Sequence, residues 1–319
     1  MGFEVDPVIR RRASAAGADA WLDGIDGLVA DLAAEWNLSV DSSPLSGGTE
    51  GVVLAATTAD GRAGVLKLLS DADSAMAEIT ALARLGPGAG PALLQHDTAR
   101  GALVIERLGP SMADLGIGPA SARLPLLCAA AARVWRSPVR PADAAELMTG
   151  EAKARWLIDF VATEWTRLDA PCTQQALDHA ITAAERRLAA HDDERSCLVH
   201  GDVHRWNALL SDRPRSRAEV DTSRPDRLRF TLVDPDGLWA EPAYDLGILM
   251  REDSDDLLRT GARHRAERLA RWTGLDVDAI AEWGAIERVS TAFVALDIGL
   301  EGDAQQMLAA AELAATQGS

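Results

Sequence analysis

Trp21, Ile25, Leu28, Val29, Leu32 and Trp36 recur at three- and four-residue intervals, a spacing that lines one face of an amphipathic helix. From about 40 to 69 the period shortens. Apolar runs there alternate with a glycine-bearing turn at 46–51 and an Ala-Asp-Gly turn at 59–61, the pattern of antiparallel strands joined by hairpins. The stretch DSAMAEITALARL, 73–85, returns to helical spacing and closes at Gly86, with Pro87 and Pro91 as breakers. Two short strands, ALLQH at 92–96 and ALVIERL at 102–108, come next. Beyond Gly109 and Pro110 the pattern is helical, near 119–135, 151–168, 173–191, 242–272, 276–289 and 291–316, with one strand-bearing island at 197–234. The expected fold class is α+β. A small β-rich part, 1–108, carries the N-terminal helices; a larger, mostly helical part, 109–319, follows a hinge at 106–108.

One segment breaks the order. Residues 211–227 are charged, contain prolines and hold a single large apolar residue, Val220, so they read as a surface insertion in a hairpin, with a lid or docking loop as the functional alternative.

Composition narrows the class of partner. With 319 residues, 47% hydrophobic and 25% charged, the chain has the balance of a soluble globular protein. A net charge of -17 disfavours nucleic acid and anionic lipid and favours solubility or a small cationic partner. Cys128, Cys172 and Cys197 are odd in number and lack any CxxC spacing, which suggests neither disulfides nor zinc and fits a reducing cytoplasm. Asp19, Asp23 and Asp26 interrupt any leader-like apolar run. The longest nearly uncharged stretch, 124–132, falls short of the ~20 residues a membrane span needs.

The candidate chemistry lies in LVHGDVHRWNALL, 198–210, and TLVDPDG, 231–237. Short apolar runs deliver Asp202, Asn207 and Asp234 to loop tips. The oxygens of Asn207 and Asp234 suit a hard cation such as Mg²⁺, which leaves Asp202 to accept a proton. Phosphoryl transfer needs that division of labour. It also needs a cradle and a cation. Ser46, Gly47 and Gly48 sit in a turn where backbone N–H groups can approach phosphate oxygens. Lys67 stands in the middle of an apolar strand, where a buried ammonium requires a partner, and Glu78 on the next helix can supply it. His200 and His204 read as supports of the loop shape, and Asp236 as a turn former.

Taken together, the glycine turn, VLKLL, Glu78, HGDVHRWN and VDPDG resemble the aminoglycoside phosphotransferase family, which has a bilobal protein-kinase-like fold. WLDGIDGLVADLAAEWNL, LSGGTEGVVL, ALVIERLGP and LWAEPAYDLGILMRE are most similar to the subgroup of streptomycin 6-kinases and hydroxyurea phosphotransferases. The resemblance implies ATP and Mg²⁺ as cofactors, Asp202 as catalytic base, and Asn207 and Asp234 as metal ligands. It implies that Lys67, steadied by Glu78, holds the phosphates and that the backbone from Glu106 to Leu108 meets the adenine edge. Asp245 would brace the catalytic loop. Pro-Asp-Gly after Asp234 differs from the Asp-Phe-Gly of protein kinases, and no activation segment follows.

For the acceptor, the acids Glu252, Asp253, Asp255 and Asp256 are candidates to attract a cation, with a helix N-terminus as the plainer account of them. Trp206 and Trp239 are candidates to stack on it. A streptomycin-like antibiotic fits best. A basic cyclic peptide of the capreomycin or viomycin type, hydroxyurea and a metabolic hydroxyl compound are the alternatives, and a nucleotide-binding pseudokinase is the alternative of another class. The chain is expected to work as a monomer or homodimer.

Overall fold

The computed structural model describes residues 3–45, 51–212, 214 and 219–317. Ser46, Gly47 and Gly48, and the centre of the 211–227 insertion, lie outside the described residues.

The N-terminal part is built on a five-stranded antiparallel sheet. Helices α1 (Pro7–Ala15) and α2 (Asp19–Glu35) precede β1 (Ser39–Pro44), β2 (Gly51–Thr57) and β3 (Ala63–Leu69). Then come α3 (Ala72–Arg84), β4 (Leu93–Asp97) and β5 (Ala102–Glu106), and the strand order is β1-β2-β3-β5-β4. Alternation along the strands gives the sheet two apolar faces. Leu54, Leu66, Leu68 and Val104 pack under Leu22, Ile25, Val29 and Leu32 of α2, while Leu69, Leu103 and Ile105 pack against Ile79 and Leu82 of α3. The N-terminal arm is itself helical. Asp6 caps α1 by accepting from the Val8 N–H, and Pro7 starts the first turn.

The C-terminal part is mostly helical around one large core. Its elements are α4 (Ala120–Val134), β6 (Met148–Thr149), α5 (Gly150–Arg167), α6 (Gln174–Ala189), β7 (Cys197–Val199), β8 (Ala208–Leu210), β9 (Phe230–Leu232) and β10 (Leu238–Ala240). They are followed by α7 (Ala243–Leu249), α8 (Ser254–Thr260), α9 (Ala262–Thr273), α10 (Val277–Asp297) and α11 (Glu301–Gln317). The whole is the bilobal α+β arrangement that the motifs imply. Among the described residues no helix is long and apolar enough to cross a membrane.

Two expectations need correction. The helical run anticipated at 242–272 is three helices, because Asp253 and Gly261 adopt left-handed backbone at φ 50° and 86°. Remote arginines hold Asp253 there: Arg123 and Arg205 bind its carboxylate and Arg265 its carbonyl. No break occurs near 290; α10 continues to Asp297, and Gly299 at φ 83° makes the turn instead. The strands entering and leaving the catalytic-type loops belong to two small sheets. β7 pairs with β10, which also pairs with β6, whereas β8 pairs with β9.

Helix α7 lies almost in contact with the backbone of α10. A Cβ on Gly247 would stand 2.4 Å from Trp283 Cβ and 3.1 Å from the Gly284 nitrogen. Gly247→Val should therefore lower the urea midpoint by an amount equivalent to about 1–3 kcal/mol, the usual cost of overpacking. A midpoint unchanged from the parent would show that the helices can separate freely.

Candidate active site

The β8–β9 hairpin brings the polar loops together. Its ladder continues into the Val233 N–H, which donates to the Asn207 carbonyl at 2.9 Å, so Asn207 and Asp234 emerge side by side. Above them, β3 delivers Lys67. Its ammonium is buried and donates to Glu78 Oε2 at 2.6 Å, and it pairs with Asp234 Oδ1 at 3.0 Å. Burial opposes that charge, but the pull of Asp234 and Glu78 outweighs it and holds the Lys67 pKa above its ordinary value. The turn after Asp234 is fitted to α3. Gly237, at φ 65°, sits where a Cβ would be 2.5 Å from Ala81 Cβ, one helical turn from Glu78.

Asp202 has both carboxylate oxygens engaged. Arg251 Nη2 binds Oδ1, while His204 Nε2 and Asn207 Nδ2 each donate to Oδ2 at 2.9 Å. Burial raises the carboxyl pKa, yet His204 and Arg251 beside it prevail and hold it well below the usual range. The backbone N–H groups of Trp206 and Asn207 donate to His204 Nδ1, which places the imidazole proton on Nε2 facing Asp202. Both histidines are thus supports. His200 is fully buried, donates from Nε2 to the Val233 carbonyl at 3.0 Å and accepts the Asp202 N–H at Nδ1.

The loop itself hangs on Asp245. This carboxylate accepts the N–H groups of His200 at 3.0 Å and Gly201 at 2.8 Å, and the Trp135 indole N–H at 2.7 Å. Burial nevertheless raises its pKa to about 6. Gly201 is required at the bend: its φ is 92°, and a Cβ there would lie 2.6 Å from Asp236 Cβ.

Lys67, Glu78, Asp202, Asn207 and Asp234 all line one cleft of about 1570 Å³ between the lobes. Glu106 and Leu108 do not. They border a separate cavity of about 870 Å³ behind the linker, where Glu106 Oε2 accepts the Ala92 N–H and Leu108 is buried. Glu252, Asp253, Asp255 and Asp256 do reach the cleft. Most of their charge is already committed. Asp253 pairs with Arg123 and Arg205, Asp256 with Arg265 and Arg259, and Glu252 accepts the Arg205 N–H; Asp255 alone of the four is exposed without an ion pair among the described residues. Trp206 is exposed in the cleft, whereas Trp239 is buried and donates to the Asp193 carbonyl.

Arg251 has a larger part than its place before an acidic run suggests. It bridges Asp202 to Glu287 and donates to Thr291 Oγ1 at 2.9 Å, and the Tyr244 hydroxyl donates to Glu287 at 2.5 Å. Its signal in the sequence is position: an arginine that directly follows the apolar GILM of α7 must share that burial and needs an acid.

Among the described residues no group of three or more His, Cys, Asp or Glu side chains could hold a metal alone. Two oxygen donors, Asn207 and Asp234, fit Mg²⁺, which takes its remaining ligands from phosphate and water.

The buried His200 titrates far from its ordinary pKa of 6.5, lowered to about 4 chiefly by burial. Between these values the unfolded chain binds a proton that the native one refuses, so this group makes stability fall as pH drops from about 6.5 to about 4. Asp245, with its raised pKa, acts in the opposite sense below about 6. Comparing the parent with His200→Gln, which leaves Asp245 in place, isolates the histidine. Over that window the parent should lose up to about 1.4 kcal/mol per pH unit more than the variant in urea titrations. Parallel pH profiles would place the proton elsewhere.

Comparison with known proteins agrees with this geometry. Residues 35–299 match the aminoglycoside/hydroxyurea antibiotic resistance kinase family. The chain is 25% identical over 285 residues to a streptomycin 6-kinase of Streptomyces glaucescens, covering 87% of this chain and 86% of that one. It is 29% identical over 244 residues to a hydroxyurea phosphotransferase of Kitasatospora aureofaciens, covering 76% and 65%. Among solved structures, a thermostable mutant of aminoglycoside phosphotransferase APH(4)-Ia in ternary complex with AMP-PNP and hygromycin B shares the fold, with a TM-score of 0.59, 18% identity and coverage of 88% of this chain and 95% of that one. The chain belongs to the aminoglycoside/hydroxyurea antibiotic resistance kinases, phosphotransferases whose acceptor is a hydroxyl group.

Proposed function

We propose that the protein transfers the γ-phosphoryl group of ATP to a hydroxyl of a streptomycin-like aminoglycoside, with 109–319 closing on 1–108 about a hinge at 106–108. The observation that carries the reading is the pair of charge systems in one cleft, Lys67 with Glu78 and Asp234, and Asp202 with Asn207.

In this reading Lys67 binds the donor phosphates, held extended by Glu78. Asn207 and Asp234 would hold a Mg²⁺ ion, which would supply neutralisation of the phosphate charge. Only the backbone from Glu106 to Leu108 is left to meet the adenine edge, since the residues themselves border the separate cavity behind the linker. Asp202 orients the acceptor hydroxyl and takes its proton. Its lowered pKa makes it a weak base, which suits a loose transition state in which the proton leaves late. Oδ1, which accepts from Arg251, has a second lone pair for a substrate hydroxyl, and Arg251 has Glu287 and Thr291 to retain it should it give way.

The arginine pairing of the cleft acids favours a second reading, a neutral acceptor such as hydroxyurea, which needs no carboxylates for capture.

Incubation with MgATP and streptomycin should add one phosphate to the antibiotic by mass spectrometry. Asp202→Ala should lower kcat by roughly 10²–10⁴-fold while leaving MgATP affinity near that of the parent. Near-normal kcat in the variant would remove Asp202 from its role, and transfer to hydroxyurea but not streptomycin would select the second reading.

A further inference from the structure

Large apolar side chains are exposed unevenly on this protein. Of the seven that stand exposed among the described residues, five (Met148, Trp156, Trp206, Val294 and Leu300) line the interlobe cleft. Such concentration marks a binding surface. Its best-ordered part is on α5, where Trp156 stacks on Phe160 with ring centroids 5.0 Å apart and planes at 13°. The ammonium of Lys153, one turn earlier on the same helix, sits 4.6 Å from the Trp156 ring centroid.

Lys153 is unusual in its own right. The chain has 30 arginines and two lysines, and both lysines, Lys67 and Lys153, line this cleft. Lys67 is tied to two carboxylates, whereas Lys153 makes no ion pair among the described residues and rests on an indole face. The face of Trp156 therefore already accepts a cation, supplied by the chain itself. A flexible ammonium on a four-carbon stem is easily displaced.

We propose that the Trp156 face is the subsite for a planar, guanidinium-type cation on the acceptor, which displaces the Lys153 ammonium as it binds. The inference rests on reading the cleft as the acceptor site and specifies how that site selects. A compact ammonium is strongly hydrated and needs several carboxylates in contact to replace its water, but Asp253 and Asp256 are taken by arginines, which leaves Asp255 as the exposed acid of that run without an ion pair among the described residues. A delocalised guanidinium gives up water more readily and stacks on aromatic rings. Asp255 and Asp303, exposed on the cleft wall without ion pairs among the described residues, supply the attraction at longer range.

Having only two lysines makes the test direct. Reductive methylation with ¹³C-formaldehyde of the full chain keeps the charge and labels Lys153, while Lys67 is shielded by burial; loss of the signal in Lys153→Arg assigns it. In the free protein the methyl resonance should be shifted upfield by the indole ring and return to the ordinary position in Trp156→Leu. Streptomycin, added with Mg²⁺ and AMP-PNP, should move it saturably to that position, and Trp156→Leu should weaken streptomycin binding by roughly three- to tenfold. Hydroxyurea should leave the resonance in place. An unshifted resonance in the free protein, or phosphorylation of streptomycin with the resonance unmoved, overturns the subsite. If streptomycin is not phosphorylated but agmatine still moves the resonance saturably, the cation subsite stands and the proposed acceptor falls. If neither compound moves it, the subsite falls.

Discussion

One buried ammonium ties this molecule together. Lys67 is enclosed by a strand of the sheet, a helix packed on that sheet and the turn after β9, and its charge is sustained by Glu78 and Asp234. Removing one partner of such a pair typically costs about 3–5 kcal/mol, because the other charge is left buried. The lobes are thus joined at a point where ligand phosphates would compete for the same cation. Structure and chemistry share one interaction.

The remaining framework serves that junction. Gly237 lets the turn after Asp234 press against Ala81, so the Asp234 turn and the Glu78 helix cannot shift independently. On the other side, Asp245 accepts two successive backbone N–H groups and fixes the bend at Gly201 from which Asp202 projects. Burial makes Asp245 costly to ionise, and its three donors repay much of that cost. Arg251, Glu287 and Tyr244 then extend the polar network into the helical core, so the position of Asp202 depends on how α7 packs on α10.

Much of this is legible in the chain because the informative residues break a local pattern. Lys67 interrupts an apolar strand, and HGDVHRWN interrupts an apolar run, so both announce chemistry without knowledge of the fold. Strand and helix periods likewise reveal the β-rich part and most helices. What local patterns conceal is long-range pairing. The break at Asp253 depends on Arg123, 130 residues away, and the same contact removes much of the charge that the acidic run promises. Trp156 and Lys153 look like ordinary helix residues, since only the fold turns that face of α5 toward the cleft. The break between α10 and α11 is hidden in the pattern because alanine-rich helix continues on both sides of Gly299, and a single left-handed glycine decides it.

The central claim is that Lys67 and Glu78 act as one phosphate-binding unit. A double-mutant cycle of Lys67→Met and Glu78→Gln, read by calorimetric titration with Mg²⁺ and AMP-PNP, tests it most directly. The double variant should lose scarcely more nucleotide affinity than Lys67→Met alone, since Glu78 is proposed to act through the ammonium. Losses that simply add would contradict it.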